Sequence, residues 1–250
     1  MYSYLCSYYK MKIAAFIPAR GGSKGIPRKN ILPFLGFPLI NYSIEYAKTC
    51  DFVNDIYVST DDREIAKIST SSGAHVINRP KNISTDTATT ESAIQHFLDT
   101  IDIKPEIIIL LQATSPLRPA GSLTKAINTF IQGEYDSLLS LTPTHQFFWK
   151  VNGDIASPEY DYMNRPRRQD FHPSDIPYDE NGSLYIFTRK HFEKTGNRLG
   201  GKIGYISFPE KYGYQIDSMD DFTFLESLAS NNRNEKIKIF SENDSNFMGK

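Results

Sequence analysis

The run Ile107-Ile108-Ile109-Leu110-Leu111 contains no polar position, and it constrains the fold more than any other stretch of the chain. A strand that is apolar on both sides of its pleat must be covered on both faces, as in a mostly parallel sheet sandwiched by helices. The surrounding rhythm agrees. Strand-like runs at Ile13 to Pro18, Ile56 to Ser59, His75 to Asn78 and Glu106 to Leu111 alternate with helical periodicity from about Leu39 to Thr49, Arg63 to Ser72, Thr89 to Asp99 and Ser122 to Ile131. The pattern predicts an α/β fold with a doubly wound, mostly parallel sheet. In such sheets ligands sit outside the carboxyl ends of the strands, so the loops Pro18 to Asn30, Thr60 to Asp62, Arg79 to Thr90 and Gln112 to Arg118 are expected to converge.

After a further strand at Ser137 to Leu141 the rhythm breaks. Residues from Phe147 to about 180 are rich in aromatics, proline and arginine, and read as an insertion with a hairpin at Phe148 to Ile155 around Asn152-Gly153. This mixture suits a cover for the site or a contact with a second subunit. Strands at Ser183 to Thr188 and Ile203 to Ser207 and a helix from about Asp220 to Ala229 complete one domain over 12–230. Residues 1–11 read as an N-terminal extension, and 231–250 as a polar, mobile tail.

Composition narrows the function classes. The 250 residues suffice for a full core, and 28 Lys plus Arg against 29 Asp plus Glu leave no global field for nucleic acid or an anionic membrane. Anion binding has to be local. Two cysteines, Cys6 and Cys50, offer neither a disulfide framework nor metal-ligand spacing, which fits a reducing compartment and predicts a cytoplasmic protein. The apolar runs fall well short of the roughly 18 residues that span a bilayer, and the first residues lack a basic region followed by an apolar stretch, so neither membrane insertion nor export is expected.

The local anion site is legible directly after the first strand, where Ile17 to Asn30 reads IPARGGSKGIPRKN. Three glycines allow backbone N–H groups to approach anionic oxygens, and Arg20, Lys24, Arg28 and Lys29 can neutralise them. The spacing is neither G-x-x-x-x-G-K-[ST] nor G-x-G-x-x-G. A polyphosphate cradle and a solvated glycine-rich turn both fit the composition; the position at the end of a buried strand favours the cradle.

Further segments join this loop. They are Asn78-Arg79-Pro80 with Ser84-Thr85-Asp86-Thr87-Ala88-Thr89-Thr90, Leu111-Gln112-Ala113-Thr114-Ser115-Pro116-Leu117-Arg118, Arg165-Pro166-Arg167-Arg168-Gln169 and Asn181-Gly182-Ser183-Leu184-Tyr185. Together, over roughly Lys12 to Glu226, the chain resembles the N-acylneuraminate cytidylyltransferases. The resemblance implies a Rossmann-like nucleotidyltransferase fold that joins CMP from CTP to the anomeric hydroxyl of an acidic nine-carbon 2-keto sugar, releases pyrophosphate, works as a homodimer and uses Mg²⁺. It implies nucleotide contacts at Arg20, Ser23, Lys24, Lys29, Asn30, Arg79 and Thr90, sugar contacts at Gln112, Lys150, Arg167 and Tyr185, and catalytic roles for Arg20, Lys24 and Asp217.

Physical readings stand beside these assignments. Asp86, Thr87 and Thr90 also suit the capping of the following helix, Arg118 suits a structural pairing with a carboxylate, and Tyr185 suits the core. The chain departs from the family at Gln215-Ile216-Asp217, where two aspartates are common, so Asp217 alone is expected to hold the metal; one carboxylate suffices for Mg²⁺ when phosphates and waters complete its octahedron. Asp220 and Asp221 are expected to cap the last helix. Two other readings remain open: a 3-deoxy-manno-octulosonate cytidylyltransferase, whose loop lacks the Ser-Lys-Gly run and Lys-Asn pair present here, and a non-catalytic nucleotide-binding paralogue, favoured by Gln215.

Overall fold

The computed structural model describes residues 11–172 and 175–231. In chain order the elements are β1 (Ile13–Pro18), a two-strand ribbon of β2 (Pro33–Phe34) and β3 (Phe37–Pro38), α1 (Leu39–Lys48), β4 (Asp55–Thr60), α2 (Arg63–Ser71), β5 (His75–Asn78), α3 (Thr90–Thr100), β6 (Ile107–Leu111), α4 (Ser122–Gln132) and β7 (Ser137–Pro143). They continue with β8 (Trp149–Asn152), β9 (Ile155–Pro158), β10 (Tyr178–Thr188), α5 (Arg189–Thr195), β11 (Ile203–Ser207) and α6 (Met219–Asn231). Seven strands form one sheet in the order β11-β7-β10-β6-β1-β4-β5, in which β10 alone runs against its neighbours.

The pleat sorts the apolar runs onto two faces. Ile13, Ala15, Ile17, Ile107, Ile109 and Leu111 pack on one side with Ile40 and Ile44 of α1, Ile65 of α2 and Ile127 of α4. Ala14, Phe16, Ile108 and Leu110 pack on the other with Ile94, Phe97 and Leu98 of α3 and Phe192 of α5. The expectation from Ile107 to Leu111 is met residue by residue, because all five are buried. A third cluster, with Ile26, Phe34, Leu39, Ile216, Phe222 and Leu225, fastens α6 and the small ribbon to the loop after β1.

Several features lay outside the sequence reading. The β2–β3 ribbon turns through Leu35 and Gly36, both at positive φ (46° and 89°), and α5 is closed by the Thr188 side chain at its start and by Gly196 in the left-handed region at its end. β10 begins at Tyr178 rather than Ser183, because the chain returning from the insertion pairs with Thr142 and Pro143 of β7 before the register shifts between Glu180 and Tyr185. The hairpin at Asn152-Gly153 is present as β8 and β9. Met11, assigned to the extension, packs partly buried against the core; residues 1–10 and 232–250, with Cys6 and most of the tail, lie outside the described residues. Among the described residues no helix is long and apolar enough to cross a membrane.

Phe16 and Phe97 stack with ring centroids 4.7 Å apart, both fully buried where α3 meets the central strands. Phe97→Ala is therefore expected to destabilise the fold by about 3–5 kcal/mol, to be measured as a shift in the urea midpoint at unchanged m-value.

Candidate active site

β1 pairs in parallel with β4 on one side and β6 on the other, so the chain order reverses direction at β1. A crevice forms at the carboxyl end of such a switch point. It is a cavity of about 220 Å³ lined by Pro18, Arg20, Gly22, Ser23, Lys29 and Asn30 after β1, by Arg79, Ala88, Thr89, Thr90 and Ala93 from the segment around the start of α3, and by Gln112, Ala113 and Thr114 after β6. Seven expected residues, Arg20, Ser23, Lys29, Asn30, Arg79, Thr90 and Gln112, meet there.

The loop after β1 is pinned from several sides. Ala19 N–H donates to the Ser59 carbonyl at 2.9 Å, Gly21 N–H to Asp61 Oδ1 at 2.9 Å, and Asn30 Nδ2 to the Arg20 carbonyl at 2.9 Å. Arg28 adopts a left-handed φ of 58° and pairs with Asp62 and Glu64 at the start of α2, at 3.0 and 2.7 Å. Lys29 is largely buried, donating to the Ile216 carbonyl at 2.7 Å and pairing with Asp217 at 3.1 Å. Gly25 serves the same junction: a Cβ there would lie 2.2 Å from the Asp217 carbonyl oxygen. This glycine is required by a backbone crossing, whereas a Cβ on Gly22 would meet nothing within 4 Å.

Arg20 and Lys24 share one carboxylate, that of Asp86, at 2.5 and 3.1 Å. Their hydrogen bonds hold the Asp86 carboxyl below the usual carboxylate range. Asp86 is thus an ion-pair partner and not a helix cap; the cap of α3 is Thr89, whose Oγ1 accepts from Ser92 N–H at 3.1 Å. Thr90 is the first helical residue and Thr87 bonds Thr85, so neither caps. Lys24 itself is mostly exposed and, unlike Arg20, does not line the cavity.

Arg79 is buried, with Nε and Nη2 donating to Oγ and the carbonyl of Ser59 at 3.0 and 2.5 Å. Burial pushes its guanidinium down to about 10, with Asp61 acting in the opposite direction. Arg118 is structural, and its partners are hydroxyls and carbonyls instead of the expected carboxylate: Ser183 Oγ at 2.9 Å, Ser43 Oγ at 3.1 Å, the Gln112 carbonyl at 2.8 Å and the Ser183 carbonyl at 3.1 Å. It fixes the backbone from which Gln112 projects. Thr114, missed among the site residues, places its hydroxyl 3.4 Å from Gln112 Oε1 and 3.3 Å from Gln215 Oε1. The signal was present in the hydroxyls that follow the most apolar strand.

Three expected sugar contacts do not line the cavity. Lys150 on β8 pairs with Glu159 at 2.6 Å and Arg167 with Asp170 at 2.6 Å, both exposed on the insertion. Tyr185 is buried in the core cluster of β10, where its hydroxyl meets Glu180 and Arg198 stacks 4.5 Å from its ring; burial, reinforced by Glu180, pushes the phenol up to about 12.

Asp217 is well exposed, and Asp221 holds the turn beneath it. Asp221 Oδ2 accepts from the N–H groups of Asp217 and Ser218 at 3.1 and 2.7 Å while Ser218 Oγ accepts from Asp221 N–H at 3.2 Å, a reciprocal cap at the start of α6. Gln215 turns its amide to Thr114 and against Gly182, where a Cβ would be 2.6 Å from Gln215 Nε2. Among the described residues no three His, Cys, Asp or Glu side chains gather as a metal cluster. Asp217 offers one exposed carboxylate at this corner, shared with Lys29.

A family model described as cytidylyltransferase matches residues 14–243. The chain belongs to the cytidylyltransferase family. It is 36% identical over 224 residues to an N-acylneuraminate cytidylyltransferase of Oncorhynchus mykiss, covering 87% of this chain and 50% of that protein. It is 35% identical over 226 residues to a pseudaminic acid cytidylyltransferase of Campylobacter jejuni, covering 87% of this chain and 96% of the relative. The chain thus spans about half the length of the fish relatives it matches. A solved CMP:2-keto-3-deoxy-manno-octonic acid synthetase in complex with CTP superposes with a TM-score of 0.67 at 16% identity, covering 88% of this chain and 99% of that one, which establishes the shared fold.

Two measurements test this geometry. Gly25→Ala is expected to cost about 1–3 kcal/mol, read by chemical denaturation, because the Asp217 carbonyl must move. The depressed Asp221 carboxyl, held down first by the Ser218 hydroxyl, stabilises the fold above the unfolded carboxylate pKa, and that stabilisation is lost as pH falls through the folded value. Asp221→Asn should therefore lower stability at pH 7 and approach the parent protein at strongly acidic pH.

Proposed function

We propose that this protein transfers CMP from CTP to the anomeric hydroxyl of an acidic nine-carbon 2-keto sugar, releasing pyrophosphate. The observation that carries the reading is the convergence of Arg20, Ser23, Lys29, Asn30, Arg79, Thr90 and Gln112 on one switch-point cavity in a chain of the cytidylyltransferase family. Arg20, Ser23, Lys24, Lys29 and Asn30 bind the triphosphate and part of the nucleoside, with the guanidinium and ammonium groups balancing charge as the α-phosphorus is attacked. Arg79, fixed by Ser59, and Thr90 contact the cytidine. Gln112, held through its carbonyl by Arg118, orients the sugar so that its anomeric oxygen faces the α-phosphorus.

Asp217 would hold Mg²⁺ together with the phosphates, and the bound ion supplies neutralisation of phosphate charge and a lowered pKa for the attacking hydroxyl. None of the histidines lines the cavity, so no side chain of that type is assigned as base. Lys150 and Arg167 act from a partner subunit in a homodimer. Support comes from their place on an insertion that leaves Trp149, Val151, Ile155 and Met163 exposed. Free, buried Cys50 is in keeping with a reducing, cytoplasmic location. The relatives point to N-acylneuraminate and pseudaminic acid as the sugars to try first.

The test is pyrophosphate release with Mg²⁺, each of the four nucleoside triphosphates and a panel of nonulosonic acids together with 3-deoxy-manno-octulosonate. Turnover is expected with CTP and a nine-carbon acid. Lys24→Ala should reduce kcat/KM by roughly tenfold or more; an unchanged value removes Lys24 from the mechanism, and absence of turnover on every sugar overturns the transfer reaction.

A further inference from the structure

Every cation of the loop after β1 is matched by a carboxylate, but the matches differ in kind. Arg28 pairs with Asp62, whose Oδ1 also caps α2 by accepting from Glu64 and Ile65 N–H at 2.9 and 3.0 Å. Lys29 is held by the Ile216 carbonyl as well as by Asp217. Arg28 and Lys29 are thus each anchored by a scaffold contact beside the ion pair, the helix-capping Asp62 for one and the Ile216 carbonyl for the other. Asp86 is different: among the described residues its carboxylate makes no hydrogen bond or ion pair besides those to Arg20 and Lys24. Arg20 and Ala88, two residues after Asp86, both line the cavity, and the Arg20–Asp86 pair ties the loop after β1 to the segment before α3.

We propose that Asp86 is a stand-in for substrate phosphate, a tethered carboxylate that occupies Arg20 and Lys24 until a polyphosphate displaces it. The inference rests on the assignment of those two cations to the triphosphate. A carboxylate and a phosphate present similar oxygen acceptors to a guanidinium, so a ligand carrying several negative charges replaces both bonds. A ligand with no phosphate leaves the Asp86 latch closed. Asp86 thereby sets the minimum charge a ligand must bring, which makes it a specificity residue for polyphosphates. Removing its charge frees two cations, and polyphosphate affinity rises.

Calorimetric titration of the full chain with each of the four nucleoside triphosphates, inorganic pyrophosphate and cytidine, comparing the parent protein with Asp86→Asn and Asp86→Ala, tests this. Both variants are expected to bind CTP and pyrophosphate roughly three- to tenfold more tightly, with cytidine affinity unchanged. Unchanged or weaker pyrophosphate binding in both folded variants overturns the latch, as does an equal gain for cytidine, which would mean a reshaped pocket. If the parent protein binds pyrophosphate but shows no preference for CTP over other triphosphates, the nucleotide assignment fails while the pyrophosphate comparison still decides the role of Asp86.

Discussion

The charge balance of the Arg20 to Asn30 loop is the interaction on which the carboxyl end of the sheet depends. Four cations in a short loop would repel one another and splay the loop away from β1. Asp62 and Glu64 at the start of α2 and Asp217 before α6 counter this from places remote in the chain, while Asp86 before α3 balances Arg20 and Lys24 as a displaceable partner. The pairs to Asp62 and Glu64 also tie the loop to the start of α2. Residues remote in sequence thereby surround one crevice, and the loop is shaped to receive an anion before one arrives.

Beneath that balance, a backbone crossing sets the geometry. Gly25 meets the Asp217 carbonyl so closely that a methyl group has no space, and Lys29 donates to the neighbouring Ile216 carbonyl. Ile216 and Ile26 lie in the same apolar cluster, which anchors the crossing from below. The exposed Asp217 carboxylate is therefore positioned by packing as well as by the cap beneath it. Gln215, one residue before Ile216, completes the arrangement as a neutral group shared with Thr114 and seated on Gly182.

The sheet and the crevice were legible because both rest on local signals. Unbroken apolar runs mark strands covered on two faces, and polar loops that follow such strands mark the carboxyl edge. The short elements were less visible. Helix α5 spans only Arg189–Thr195 and the β2–β3 ribbon has two residues per strand, too little for periodicity to register. The early start of β10 depends on pairing with β7, a contact between distant segments that no local pattern encodes.

By itself, the sequence determined the alternating α/β architecture, the anion-binding character of the loop after β1 and the residue types at the strand ends, because these follow from burial periodicity and side-chain chemistry. Tertiary structure alone decided what each of those residues touches. It made Arg118 a brace for backbone carbonyls, moved Asp86 from helix cap to ion-pair partner, passed the cap to Thr89, and left Lys150 and Arg167 on the insertion instead of at the cavity. The physical reason is that hydrogen bonds and ion pairs act over a few ångströms, and which groups come that close is set by how the strands order themselves in the sheet.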